Sequence, residues 1–155
     1  MSKKDLKYFM RSTEPVIVTA PGPDTFKDEA GNTIMFEIKA LTQAEIQRIN
    51  NNYKKRTMAT DKKGNPMIAN GEVVWRTEMD SAKASRHLIV EALQYPNLKD
   101  EELMKFYNCV DITEMPLLVF PSSAEYNHVA RIVMAALGLI DGQTTDDNEV
   151  EEAKN

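Results

Sequence analysis

Two histidines, one cysteine and a few paired carboxylates are the residues of this chain whose types could do chemistry. His87 and His128 stand in no metal-ligand spacing with each other or with Cys109. A general base also needs a group that orients it and a nucleophile within reach, and neither histidine has such neighbours in sequence. Both are expected on helix flanks, His87 beside an apolar stripe and His128 on a polar side. Cys109, in FYNCVDI behind an apolar segment, is expected to be a buried structural thiol rather than an activated nucleophile. Glu101-Glu102 and Asp146-Asp147 are adjacent pairs, and adjacent residues of a helix do not face one site. The first pair suits the positive end of a helix dipole and the second a solvated tail. None of the six glycines falls in a GxxxxGK or GxGxxG arrangement that would cradle phosphate. The sequence therefore predicts no catalytic residue, no metal centre and no cofactor.

What remains is the chemistry of binding. Methionine is flexible and polarizable, and suits surfaces that accept variable apolar partners. Three of the nine methionines, Met58, Met67 and Met79, gather with Val74 and Trp75 away from the strongest apolar stripes. These five are the candidate partner-binding residues; gap-filling in a core is the competing reading of the methionines. Lys54-Lys55-Arg56 and Lys62-Lys63 make a basic patch near Tyr53 and Trp75, for which a solvated face is the simpler account. The net charge of -5 resides in the last fifteen residues, with six acids against one lysine, and the remainder is balanced. A balanced domain offers no footprint for nucleic acid or an anionic membrane, so neither is expected as a partner.

The elements that must position these residues follow from periodicity. Ile34, Phe36 and Ile38 alternate with Met35, Glu37 and Lys39, which predicts a strand with one core-facing side. Thr42 and Glu45 then form a capping box, with Leu41 and Ile46 as its staple, opening a helix to about residue 56. Val16 to Ala20 is a short β-branched run stopped by Pro-Gly-Pro. Phe26 to Lys39 reads as a hairpin turned by Asp28, Gly31 and Asn32. Residues 57–79 carry two turn signals, Lys63-Gly64-Asn65-Pro66 and Asn70-Gly71, and fit either a second, exposed hairpin or a mobile loop that orders on binding. Downstream, Ser85, Leu88, Ile89, Ala92 and Leu93 share a helical face capped by Asp80 or Ser81 and ended by Pro96. Asp100 caps a short helix with Leu103, Phe106 and Tyr107 inward. Ser122 and Glu125 open the cleanest stripe, Tyr126, Val129, Ala130, Val133, Ala136 and Leu137, which Gly138 closes.

Strands come first and helices after, with no internal repeat. The expected fold is α+β, an N-terminal β-hairpin or small antiparallel sheet followed by a mainly helical C-terminal part. The expected organisation is a flexible segment at 1–14, one domain at 15–140 and an acidic disordered tail at 141–155. A chain of 155 residues can bury a core without metal or disulfide. MSKKDLKYFMRS lacks the apolar run of a signal peptide, and no segment has the roughly 20 apolar residues that cross a bilayer, so a cytoplasmic location is expected.

FKDEAGNTIMFEIKALT at 26–42, YPNLKDEEL at 95–103, FYNCVD at 106–111, MPLLVFPSSAEYNHV at 115–129 and ALG at 136–138 together resemble the XkdN-like phage tail assembly chaperones. The resemblance covers about Phe26 to Leu139, with the motifs in order. It departs at Asn108, where the family pattern has glycine, although asparagine also tolerates the left-handed conformation. The resemblance implies a non-enzymatic protein of a phage or prophage of Gram-positive bacteria. It implies binding to the tape measure protein, recruitment of tail tube subunits, residence in the bacterial host cytoplasm and absence from the mature virion. A homo-oligomer is compatible with it, and the tail from Asp141 occupies the position from which a frameshifted extension departs in many phages. The competing role is a structural tail connector or completion protein retained in the particle.

Overall fold

Alternating apolar and polar side chains build the sheet on which the molecule folds, seen in a computed structural model that describes residues 4–141. The elements run β1 (Ile17–Pro21), β2 (Met35–Lys39), α1 (Gln43–Asn51), β3 (Lys54–Met58), β4 (Ile68–Ala69), β5 (Glu72–Val73) and β6 (Trp75–Met79). There follow α2 (Ser81–Ala92), β7 (Leu93–Tyr95), α3 (Glu101–Phe106), α4 (Met115–Val119) and α5 (Ser123–Ala136). The fold is α+β as expected, but strands are spread along the chain rather than confined to its N-terminal part.

Two segments account for that correction. The helix α1 stops at Asn51 instead of near residue 56, because beyond Tyr53 no apolar residue continues its stripe and Lys54–Met58 instead finds a strand partner. Leu93–Tyr95 leaves the helical pattern of α2 to pair with β2, a tertiary hydrogen-bonding partner that overrides local propensity. The central sheet is therefore three-stranded, in the order β1-β2-β7, and antiparallel throughout. Register runs from Ile17 opposite Lys39 to Pro21 opposite Met35.

β2 buries Phe36 and Ile38 and leaves Met35 and Glu37 outside, as the strand period requires. Helices cover that inner face. The most enclosed is α2, which buries Ala84, Leu88, Ile89, Val90 and Ala92 and packs on α1, α4 and α5. Phe36, Ile38, Leu41, Ile46, Ile49, Leu98, Met115, Phe120, Val129 and Val133 complete one continuous core. Gly22 presses on it: a Cβ there would stand 2.5 Å from Cε1 of Phe36.

The helix ends are closed by local chemistry. Thr42 Oγ1 accepts from the Glu45 amide at 3.2 Å, and Ser122 Oγ from the Glu125 amide at 3.1 Å. Each hydroxyl in turn donates to the glutamate carboxylate, so the reciprocal bond reaches the hydroxyl rather than the cap residue's amide. At the end of α5 the Leu139 amide donates to Met134 and the Gly138 amide to Ala135, with Gly138 at φ 77°, a Schellman motif. Asn108, at φ 52°, closes α3 with the same two bonds, from Cys109 to Met104 and from Asn108 to Lys105. One inward expectation fails on this helix: Phe106 is 79% exposed, whereas Leu103 and Tyr107 pack against the core.

Leu6–Phe9 forms a single 3-10 turn with no buried residue. Of the expected disordered tail, only Asp141 falls among the described residues; the rest of that expectation lies outside them.

Candidate partner-binding surface

The ambiguous stretch is a hairpin, and it begins earlier than 57. β3 and β6 pair antiparallel from Lys54 opposite Met79 to Met58 opposite Trp75. An isolated bridge between Thr60 and Pro66 and the small β4–β5 pair extend this arm. Asn70 and Gly71, at φ 53° and 79°, make the type I′ turn that joins β4 to β5. Every β6 residue is exposed, so the arm contributes little to the core.

Opposed residues in an antiparallel pair share a face. Lys54 with Met79, Arg56 with Thr77 and Met58 with Trp75 therefore form one face; Lys55 with Glu78 and Thr57 with Arg76 form the other. Register thus gathers three of the five candidate residues, Met58, Trp75 and Met79. Met67 lies further along the arm. All four are 40–50% exposed. Val74 differs: it is half-buried, its amide donates to the Met67 carbonyl, and its carbonyl accepts from the amide of buried Ala59. It joins the parts of the arm rather than offering a contact.

Sequence reasoning missed two arm residues and one contact. Ile68, 67% exposed, stands opposite exposed Val73 across β4–β5. Counting two residues either side of the Asn70-Gly71 turn would have paired them. The Arg56 guanidinium lies 4.6 Å from the Trp75 ring centroid, a cation-π contact that only register could reveal.

A polar chain fastens the arm's base to α2. The Asp80 amide donates to the Tyr53 carbonyl at 3.0 Å. The Tyr53 hydroxyl lies 2.7 Å from His87 Nδ1, His87 Nε2 lies 3.4 Å from a Glu91 oxygen, and the other Glu91 oxygen lies 3.1 Å from Lys99 Nζ. With Nε2–H directed at the carboxylate, Nδ1 accepts from the tyrosine hydroxyl. Burial raises the Tyr53 pKa despite nearby Lys83. At Glu91 burial acts upward, but Lys99 and His87 outweigh it, and the net shift is downward. His87 is thus a structural link with both ring nitrogens engaged, more than the helix flank expected of it.

His128 likewise ties α5 to β1, with Nε2 2.8 Å from the Pro21 carbonyl. Cys109 is half-buried rather than buried; its Sγ sits 3.1 Å from the Asp111 carbonyl, and burial with nearby Glu114 raises its pKa. A thiol held protonated is a poor nucleophile.

The body carries a second apolar feature. A cavity of about 230 Å³ opens between β2, β7 and α3, lined by Phe26, Phe36, Tyr95, Leu103, Tyr107 and Phe120 among others. Phe26 meets Phe120 edge-on at 5.7 Å, and Phe36 stands 6.0 Å from Phe120. Among the described residues, no group of three or more His, Cys, Asp or Glu side chains could hold a metal ion. No helix among them is long and apolar enough to cross a membrane.

The molecule is thus an α+β body from which an exposed ribbon carrying Met58, Trp75 and Met79 extends. The protein belongs to the phage XkdN-like tail assembly chaperone family, whose model matches residues 6–154. It is similar to YqbN of Bacillus subtilis, described as uncharacterized, at 30% identity over 79% of this chain and 76% of that relative. It is similar to the PBSX phage-like element protein XkdN of the same organism at 27% identity, over 97% of this chain and 94% of the relative. The fold matches the crystal structure of YqbN with a TM-score of 0.66, at 23% identity, over 88% of this chain and 98% of that one.

Proposed function

We propose that this chain acts without catalysis, holding the apolar, helical tape measure protein of its phage in solution while tail tube subunits are recruited around it. The arm is the gripping surface in this reading, and the observation that supports it best is the clustering of Met58, Trp75 and Met79 on one exposed face. These side chains are adaptable and large, and they stand on a ribbon that the core does not need. Residues 15–140 form the working domain, with 1–14 and 141–155 as appendages. The protein works in the cytoplasm of the bacterial host and is absent from the finished particle.

Coexpression with the tape measure protein of the same phage tests this. The expected result is a larger soluble fraction of tape measure, lost with the Met58→Ala/Trp75→Ala double variant at equal expression. Unchanged tape measure aggregation in the presence of the unaltered chain would overturn the reading. Mass spectrometry of purified particles separates a chaperone, missing from them, from a retained connector.

A further inference from the structure

The cavity between β2, β7 and α3 holds about 230 Å³ and is walled by Phe26, Phe36, Leu103, Tyr107, Val119 and Phe120 among others. An apolar cavity on the order of 150 Å³ already admits a benzene ring, so this one has room for a phenyl side chain. Such a side chain stands beside it. Phe106 is 79% exposed, and its ring meets that of Tyr107, a wall residue, edge-on with centroids 4.9 Å apart. It cannot fill the cavity of its own chain, because Leu103 and Tyr107 of the same short helix segment already form the wall there while Phe106 projects outward. The apolar patch continues through Val110, 93% exposed, and through Tyr95, a half-exposed wall residue from β7.

We infer that a second copy of this chain docks here, about a two-fold axis beside α3, so that Phe106 of each copy enters the cavity of the other. An isologous interface demands a self-complementary patch, and a projecting ring next to a cavity of fitting size meets that demand. Charge favours the same occupant. Glu101 and Glu102 lie in the first turn of α3 and Lys105 in its last, so two copies of the helix set antiparallel across the axis bring the acids of one opposite the lysine of the other. Two inserted rings and the walls that receive them bury roughly 600–1,000 Å². Val110 and the flanking charges bring the total near the lower bound of stable interfaces, about 1,200 Å², so the dimer is weak and concentration-dependent. None of the residues lining the cavity lies between 54 and 79, and the inference does not rest on what the arm holds.

Sedimentation velocity of the full-length chain should show monomer passing to dimer as concentration rises from micromolar to millimolar. Phe106→Asp should raise the dimer dissociation constant at least about thirtyfold, as the loss of a central aromatic anchor does. Its melting temperature should stay that of the unaltered chain, because the ring is exposed. Trp75→Ala should dimerise as the unaltered chain does. Isotope-filtered NMR on an equal mixture of labelled and unlabelled chains should show contacts between the Phe106 ring of one copy and the Ile34, Leu103 and Val119 methyls of the other. A chain that stays monomeric up to millimolar concentration would overturn the inference, and so would a dimer that Phe106→Asp leaves intact. Loss of tape measure binding in Phe106→Asp, with no dimer of the unaltered chain, would assign the cavity to that partner instead.

Discussion

Two hairpins in this molecule are turned by nearly the same residues and end in opposite surroundings. In Asp28-Glu29-Ala30-Gly31-Asn32 and in Asp61-Lys62-Lys63-Gly64-Asn65, the aspartate carboxylate accepts two amides at 2.9 Å each. The glycines have φ of 85° and 84°. An antiparallel bridge closes each turn, Lys27 with Thr33 and Thr60 with Pro66. The first turn leads through Ile34 into β2, where Phe36 and Ile38 alternate with polar residues and enter the core. The second sits on an arm whose strands read Lys-Lys-Arg-Thr-Met and Trp-Arg-Thr-Glu-Met, with no fully buried residue. Turn chemistry decides where the chain reverses; the flanking strands decide whether it is buried.

The comparison can be broken most forcefully at its two large aromatics. Phe36→Ala should cost about 3–5 kcal/mol of global stability. Trp75→Ala should stay within about 0.5 kcal/mol while abolishing the gain in tape measure solubility. Denaturant unfolding checks both, and equal losses would show that the arm belongs to the core. Gly22→Ala comes next, at about 1–3 kcal/mol, because the added methyl meets the Phe36 ring.

The paired glycines sharpen the contrast. Neither Gly31 nor Gly64 has an atom near a Cβ position, so alanine at either brings only the conformational penalty of positive φ, about 1–2 kcal/mol. Gly31→Ala should lower the global unfolding midpoint. Gly64→Ala should leave it in place and speed amide exchange only within 54–79.

Acid reaches the arm's root. Glu91 has a folded-state pKa below its ordinary value, so its contribution is present above the ordinary glutamate range and is lost as pH falls through the folded pKa. Asp111, lowered chiefly by the Thr113 hydroxyl and amide, has the same sign. Thermal unfolding followed against pH should therefore show an acid limb that Glu91→Gln makes shallower. The smallest effect is expected for Asn108→Gly, within about 0.5 kcal/mol in melting experiments, since both residues accept the left-handed conformation.

Much of the fold was legible because its signals are local. Thr42 with Glu45, Ser122 with Glu125, Asp100, Gly138 and the alternation about Phe36 each act within a few residues, and each lies where periodicity and capping place it. What escaped depends on contacts distant in sequence. Leu93–Tyr95 reads as the end of a helix until β2 takes it as a strand. The Tyr53–His87 bond joins residues 34 apart, so no spacing rule announces it. The sequence of the arm fits either a hairpin or a loop because its strands lack the buried face that makes alternation visible. Side-chain type alone marks Met58, Trp75 and Met79 as candidates, and only the pairing register puts them on one face.

The arm's two ends lie beside each other: two residues separate α1 from β3, one separates β6 from α2, and the Asp80 amide meets the Tyr53 carbonyl across the gap. Because α1 and α2 also pack together, the whole excursion from 54 to 79 is an insert in a helical hairpin. Such an insert behaves as an exchangeable cassette, replaceable by a ribbon of another length or sequence without repacking a core side chain. On the function proposed above, the surface that meets the partner is then separable from the body that carries it.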